Sequence, residues 1–191
     1  MQPWLRFSGV RIQVDKPEIA VCNFMARACE DMDVDRLFEL AEPYLEKNDF
    51  GMAHTKRVFD ITRENFVVPS ELEELTYYSI ILHDIGGGSI KNQYEKGPGI
   101  AAALLKQMGC DEVFIQQVCE IVGTHHDHPD NPSLPFQVLY DSDKLVMFSP
   151  EEFPYYNSQA GFDWEKIVDL IYSEHMRRLA KETLKQRRSE V

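Results

Sequence analysis

Hydrophobic residues recur at helical spacing along most of the chain, separated by short polar or glycine-rich breaks. Asp33 precedes a run containing Leu37, Leu40 and Leu45, with Pro43 placed to kink it or end it early. Gly51 precedes a second run in which His54, Val58 and Ile61 share one face, at i, i+4 and i+7. Ser70 and Glu73 read as a capping box for a helix carrying Leu72, Leu75, Ser79 and Leu82. That helix runs to His83-Asp84 and is stopped by Gly86-Gly87-Gly88. Further helices are expected from about Ile100 to Met108, from Asp111 through Val122, and from Ser133-Leu134-Pro135 through Val146. Two loops follow from the pattern, His125 to Pro132 and Ser149 to Phe162. Asp163 then predicts one long amphipathic helix from Trp164 towards Arg188, its basic end matching the negative pole of the helix dipole.

The beginning of the chain differs. Phe7 to Val14 alternates in part and predicts a short strand or an extended arm over residues 1–16. Pro17 opens a helix with Ile19, Val21, Phe24 and Met25. The expected fold is therefore all-α: a helical bundle over residues 17–191, with a short extended N-terminal arm.

Composition narrows the function. Hydrophobic residues make up 43% of the 191 residues, an ordinary globular balance for one domain. The net charge of -12 argues against binding a nucleic acid polymer, whose phosphates need a basic surface. A small phosphate ester remains compatible, because a bound divalent cation reverses the local field. No apolar run is long enough for a membrane span, and the first residues lack the apolar core of a secretory signal. A cytoplasmic location is the expectation. Cys22, Cys29, Cys110 and Cys119 form no C-x-x-C pair and are expected to be buried, reduced thiols.

Two His-Asp pairs stand in the chain, His83-Asp84 and His126-Asp127. Only the first ends a strongly apolar helix, where an unpaired charge is costly unless it binds a metal. His54 interrupts the apolar face of its own helix, and Asp141 and Asp143 interrupt another. Polar intrusions from three helices, all His or Asp, fit convergence on one cation. Nitrogen and carboxylate donors suit Mn, Fe, Co, Ni or Zn better than calcium. Asp141 and Asp143 are two apart, so on a helix they point in different directions.

Three stretches, His54-Thr55-Lys56-Arg57-Val58, Ile81-Leu82-His83-Asp84-Ile85-Gly86 and Asp141-Ser142-Asp143-Lys144-Leu145, resemble the HD-domain superfamily of metal-dependent phosphohydrolases. The resemblance spans residues 51–148 and implies an HD-type helical bundle. It implies His54, His83, Asp84 and Asp143 as ligands of one divalent ion. Asp143 is preferred over Asp141 because the family's ligand precedes a basic residue and Leu. It also implies hydrolysis of a small phosphate ester, a nucleotide or related metabolite, by attack of a metal-activated water. Asp84, His125 and His126 are the candidate catalytic groups, and Arg57 and Lys144 the candidate phosphate clamps. His128, before Pro129, is the weakest candidate of the histidine cluster.

The chain departs from the family in three respects. Gly87 stands where many relatives carry a Lys or Glu with a part in the chemistry. No Gly-Tyr-Pro follows His125-His126, which disfavours cyclic dinucleotide cleavage. No His lies between Ile85 and Thr124, which argues for one metal over two and against a di-iron oxygenase, the alternative enzyme. A non-catalytic sensor or scaffold module is the other alternative. The acidic, aromatic stretch Glu151 to Tyr156 reads as a cover for the pocket or a subunit contact, compatible with a homodimer.

Overall fold

The structure is a computed structural model, and it describes residues 32–46 and 50–189. The expected arm, the helix opened by Pro17, and Cys22 and Cys29 lie outside the described residues. Those residues form α1 (Val34–Leu45), α2 (Gly51–Asn65), α3 (Ser70–Leu82), α4 (Ile90–Gln107), α5 (Glu112–Thr124), α6 (Leu134–Val146), α7 (Phe153–Asn157), α8 (Trp164–Leu170) and α9 (Glu174–Ser189). No strand occurs among them, so the fold is all-α as expected. No helix among them is long and apolar enough to cross a membrane.

Side-chain caps start four helices where the sequence places them. Asp33, Asp111 and Asp163 accept from the amides of Arg36, Phe114 and Lys166 at 2.9, 2.8 and 3.0 Å. Ser133 accepts from Phe136 at 3.4 Å. Each bond satisfies a donor that the first helical turn leaves orphaned. The Ser70 capping box does not form: Pro69 is the cap residue, no side chain caps the helix, and Ser70 is its first helical residue. Pro43 does not end α1, which continues to Leu45.

Helix α3 is the centre of the bundle and packs against α1, α2, α5 and α6. Tyr78, Ile80, Ile81 and Leu82 lie in its second half and are fully buried. A helix that is apolar on all sides needs neighbours on all sides. Ile80, Ile81 and Leu82 each contribute about 1.5–3 kcal/mol by leaving water. The burial also fixes the end of α3, and with it His83-Asp84. Helix α2 packs on α6, and Thr62 donates to Ser142 across that contact at 2.8 Å, next to Asp143.

Three findings correct the sequence reading. Helix α4 begins at Ile90, ten residues before its expected start, with Ser89 as its cap. The helix passes through Gly97-Pro98-Gly99, packed along α5, and the Pro98 carbonyl accepts from the Cys119 thiol. The expected long C-terminal helix is two helices. The chain breaks at Ile171-Tyr172-Ser173, where the Asp141 carboxylate accepts the amides of Tyr172 and Ser173 at 2.7 and 2.9 Å. Finally, Cys110 is disulfide-bonded, so not every thiol is reduced; Cys119 is free.

The glycine run after Asp84 has two separate tasks. Gly87 has φ +105°, which side-chain-bearing residues rarely adopt. Gly86 lies against the first turn of α4, where a Cβ would stand 2.5 Å from Gln93 Cα and 2.6 Å from the Asn92 carbonyl oxygen. Both obstacles are backbone, so neither can rotate away. Gly86→Ala is expected to cost at least about 2 kcal/mol through overpacking. The expected signature in urea is a lower midpoint with an unchanged slope; an unchanged midpoint would show that the contact is not tight.

Candidate metal centre

His83 and His125 occupy equivalent places, each as the residue that closes its helix. Each Nδ1 lies 2.7 Å from a carbonyl three residues back, Ile80 for His83 and Val122 for His125. A carbonyl only accepts, so Nδ1 carries the proton and Nε2 keeps a lone pair facing inward. His54, in the first turn of α2, is held the same way by Glu152, whose carboxylate oxygens lie 3.0 and 3.2 Å from its Nδ1. All three imidazoles are thus turned by an acceptor behind them, the arrangement that orients histidine ligands in metal sites.

The inward atoms meet. His54 Nε2 lies 3.3 Å from His83 Nε2 and 3.2 Å from Asp143 Oδ1. Asp84 Oδ2 is 3.8 Å from His54 Nε2 and 3.6 Å from His83 Nε2, while its Oδ1 is 3.5 Å from His125 Nε2. Two groups of donors follow, each with its atoms within 4.8 Å of one another: His54, His83 and Asp143, and beside it Asp84, His125 and His126. Either group can hold a metal ion. His125 Nε2 is buried and has no hydrogen-bond partner. A buried imidazole nitrogen 3.5 Å from the Asp84 carboxylate and without a hydrogen-bond donor fits a cation, since leaving such an atom unpaired is costly.

The HD domain family model matches residues 51–147, just over half of the chain. The chain belongs to the HD domain family. That family consists mostly of metal-dependent phosphohydrolases. The match agrees with the expected region 51–148, and it contains both donor groups of this HD domain. Comparison with curated proteins and with solved structures finds no match.

The charges of the HD domain centre favour a cation. Burial acts to lower His54, but its hydrogen bonds to Asp143 and Glu152 prevail and raise it to about 10. Burial holds the His83 imidazole below its ordinary value. Burial acts to raise both Asp84 and Asp143. The imidazoles of His83 and His125 outweigh it at Asp84, and Lys144 and His54 outweigh it at Asp143, so both fall below the usual carboxylate range. His126 is lowered to about 4, by burial and then by His125. Around neutral pH His83 and His126 are therefore neutral and Asp84 and Asp143 ionised, the forms that ligate, whereas His54 holds a proton that it must lose to ligate.

The remaining expected site residues are placed differently. Asp141 belongs to neither donor group and holds the break between α8 and α9. Burial raises it to about 6 against the pull of the Ser173 and Tyr172 amides. Arg57 does not face open space: its guanidinium engages Glu152, with Nε at 3.2 Å. Lys144 Nζ lies on Asp143 Oδ2 at 2.9 Å. Both cations, expected as phosphate clamps, instead hold carboxylates that touch His54. His128 stacks on Tyr172 at 4.4 Å and bonds the Leu170 carbonyl, a structural role.

Two residues of the centre have no local signal in the sequence. Glu152 lies in a segment expected to be loop. Its fully buried carboxylate is positioned there because Phe153 stacks on Trp164 at 4.6 Å and the Ser149 hydroxyl accepts the Glu152 amide. Gln93 lies in the unrecognised first turn of α4. A cavity of about 190 Å³ opens onto His54 and Asp84, lined also by Phe50, Tyr155, Tyr156 and Gln159.

Proposed function

We propose that the protein hydrolyses a small phosphate ester, a nucleotide or related metabolite, using a divalent transition ion (Mn, Fe, Co, Ni or Zn) held by His54, His83, Asp84 and Asp143. The observation that carries this reading is the convergence of inward-facing Nε2 atoms and ionised carboxylates beneath an aromatic-lined cavity. When bound, such an ion lowers the pKa of water and polarises a phosphoryl oxygen.

The chain's own residues supply the rest. Glu152 and the carbonyls of Ile80 and Val122 hold the imidazoles in one tautomer. Lys144 keeps Asp143 ionised, and Arg57 keeps Glu152 in place beside His54. Asp84 lines the cavity and orients the attacking water as a hydrogen-bond acceptor, while His125 and His126 stand next to it as the groups that move the proton. Phe50, Tyr155 and Tyr156 offer ring faces to the body of the substrate, and Gln159 an amide. The cavity is smaller than the roughly 300–1,000 Å³ of drug-sized sites, in keeping with a compact ester.

The test is phosphate release from a phosphoester panel by metal-loaded protein, beside a His83→Ala, Asp84→Ala double variant. Release by the wild type alone is expected; equal release by both contradicts the proposal. The adjacent Asp84, His125 and His126 group favours one second reading, two irons that oxidise a carbon substrate. Close to two irons per chain with no phosphate release would select it.

Metal binding should also carry a proton signature. His54 is raised to about 10, above its ordinary 6.5, so between these values the metal-free fold keeps a proton that the unfolded chain has lost. That stabilising contribution is complete below about 6.5 and lost as pH rises through about 10. An ion on His54 Nε2 must displace this proton. Affinity should therefore rise about tenfold per pH unit through pH 7–9, with about one proton released per ion. Calorimetry in buffers of different ionisation enthalpy measures that release, and pH-independent affinity would contradict it.

A further inference from the structure

Gln93 is 7% exposed and touches two members of the second group of donors, Asp84 and His126. Its Nε2 donates to Asp84 Oδ1 at 2.7 Å, and its Oε1 contacts His126 Nε2. The orientation of the amide is not arbitrary. An ionised Asp84 accepts only, so the Gln93 NH2 must face it, and the Gln93 oxygen must then face His126. An amide oxygen also accepts only, so His126 Nε2 carries a hydrogen and its lone pair lies on Nδ1. The backbone leaves little freedom to escape this arrangement. Gly86 lies directly against Gln93 Cα, and the Gln93 amide nitrogen bonds the Ser89 carbonyl at 3.0 Å in the first turn of α4.

We propose that Gln93 is a positioning residue that sets the metal occupancy of the centre, by holding Asp84 Oδ1 and His126 Nε2 away from a second ion. The inference rests on the function proposed above. Among the described residues no such amide lies across the group His54, His83 and Asp143, and that group takes the first ion. The group Asp84, His125 and His126 is bridged by an amide that donates to one of its carboxylate oxygens and blocks one of its ring nitrogens. A second ion that takes His126 through Nε2, or Asp84 Oδ1 from the side Gln93 occupies, must break the hydrogen bond there. The chain thus has the donors for two ions and a side chain that biases it towards one.

The first readout needs no metal. Long-range proton–nitrogen NMR of histidine-labelled, metal-free protein should show His126 as the Nε2–H tautomer in the wild type, and as the Nδ1–H tautomer or a mixture in Gln93→Ala. A wild-type His126 protonated on Nδ1, or a tautomer unchanged in Gln93→Ala, overturns the inference. The second readout is a titration with Mn²⁺ followed by metal analysis. The wild type should bind a second ion at least tenfold more weakly than the first. Gln93→Glu replaces the donor by a carboxylate facing Asp84, a repulsion that a cation between them relieves. That variant should bind the second ion at least tenfold more tightly than the wild type does. A wild type that takes one ion, with second-ion affinity unchanged in Gln93→Glu, overturns this inference and leaves the proposed function standing. A wild type that binds no ion overturns both.

Discussion

Asp84→Asn is expected to lower phosphoester hydrolysis by at least about 10³-fold and to strip the protein of tightly held metal. The substitution keeps the volume of the side chain and removes its charge. Among the described residues, Asp84 is the one group whose two oxygens face both sets of donors, with Oδ2 towards His54 and His83 and Oδ1 towards His125. Losing the ion forfeits several kcal/mol of transition-state charge stabilisation. At about 1.4 kcal/mol per decade of rate, that is at least three orders of magnitude. The fold should survive, because α3 is held by Tyr78, Ile80, Ile81 and Leu82, upstream of the pair. Parallel measurement of kcat/KM, metal content and helical circular dichroism checks all three statements. A folded Asp84→Asn protein that keeps both metal and activity would contradict the role given to this carboxylate.

The second large effect separates two aspartates that lie two residues apart. Asp141→Ala should destabilise the fold by about 2–6 kcal/mol, because two amides at the α8–α9 break lose their acceptor at about 1–3 kcal/mol each. Its metal content should stay at the wild-type level, since Asp141 belongs to neither donor group. Asp143→Ala should do the reverse with respect to metal. Asp143 lies 3.2 Å from His54 Nε2 and is paired with the partly buried Lys144, so its loss leaves that ammonium without its partner and the ion with one ligand fewer. Denaturant melts and metal analysis of the two variants form one experiment. If Asp141→Ala lost the metal and Asp143→Ala kept it, the assignment would be inverted.

What the sequence made legible here has a physical basis. His54, His83-Asp84 and Asp143 stand out because helical periodicity leaves them among apolar neighbours, where a charge needs a partner. The same periodicity places α2, α3, α5 and α6 and therefore the convergence of their ligands. It is blind to groups whose position depends on packing between distant segments. Glu152 reaches His54 from 98 residues away, carried by the stacking of Phe153 on Trp164. The amphipathic pattern from Trp164 to Arg188 is unbroken in sequence; what breaks the helix is a carboxylate 31 residues upstream that captures two amides. Helix α4 was hidden for a different reason. Gly97-Pro98-Gly99 carries a breaker signal that the packing of α4 along α5 overrides, and the first turn lost with it contains Gln93. Arg57 and Lys144 lie beside expected ligands in sequence, but proximity in sequence does not distinguish a cation that meets substrate from one that holds a carboxylate.

The most direct test of the account is anomalous X-ray diffraction from crystals of the metal-loaded protein, recorded at the absorption edge of the added ion. The expected result is an anomalous peak bonded to His54, His83, Asp84 and Asp143, with Asp141 still on the amides of Tyr172 and Ser173. A loaded crystal with no peak among these four side chains, or with the ion held elsewhere on the molecule, would contradict the account.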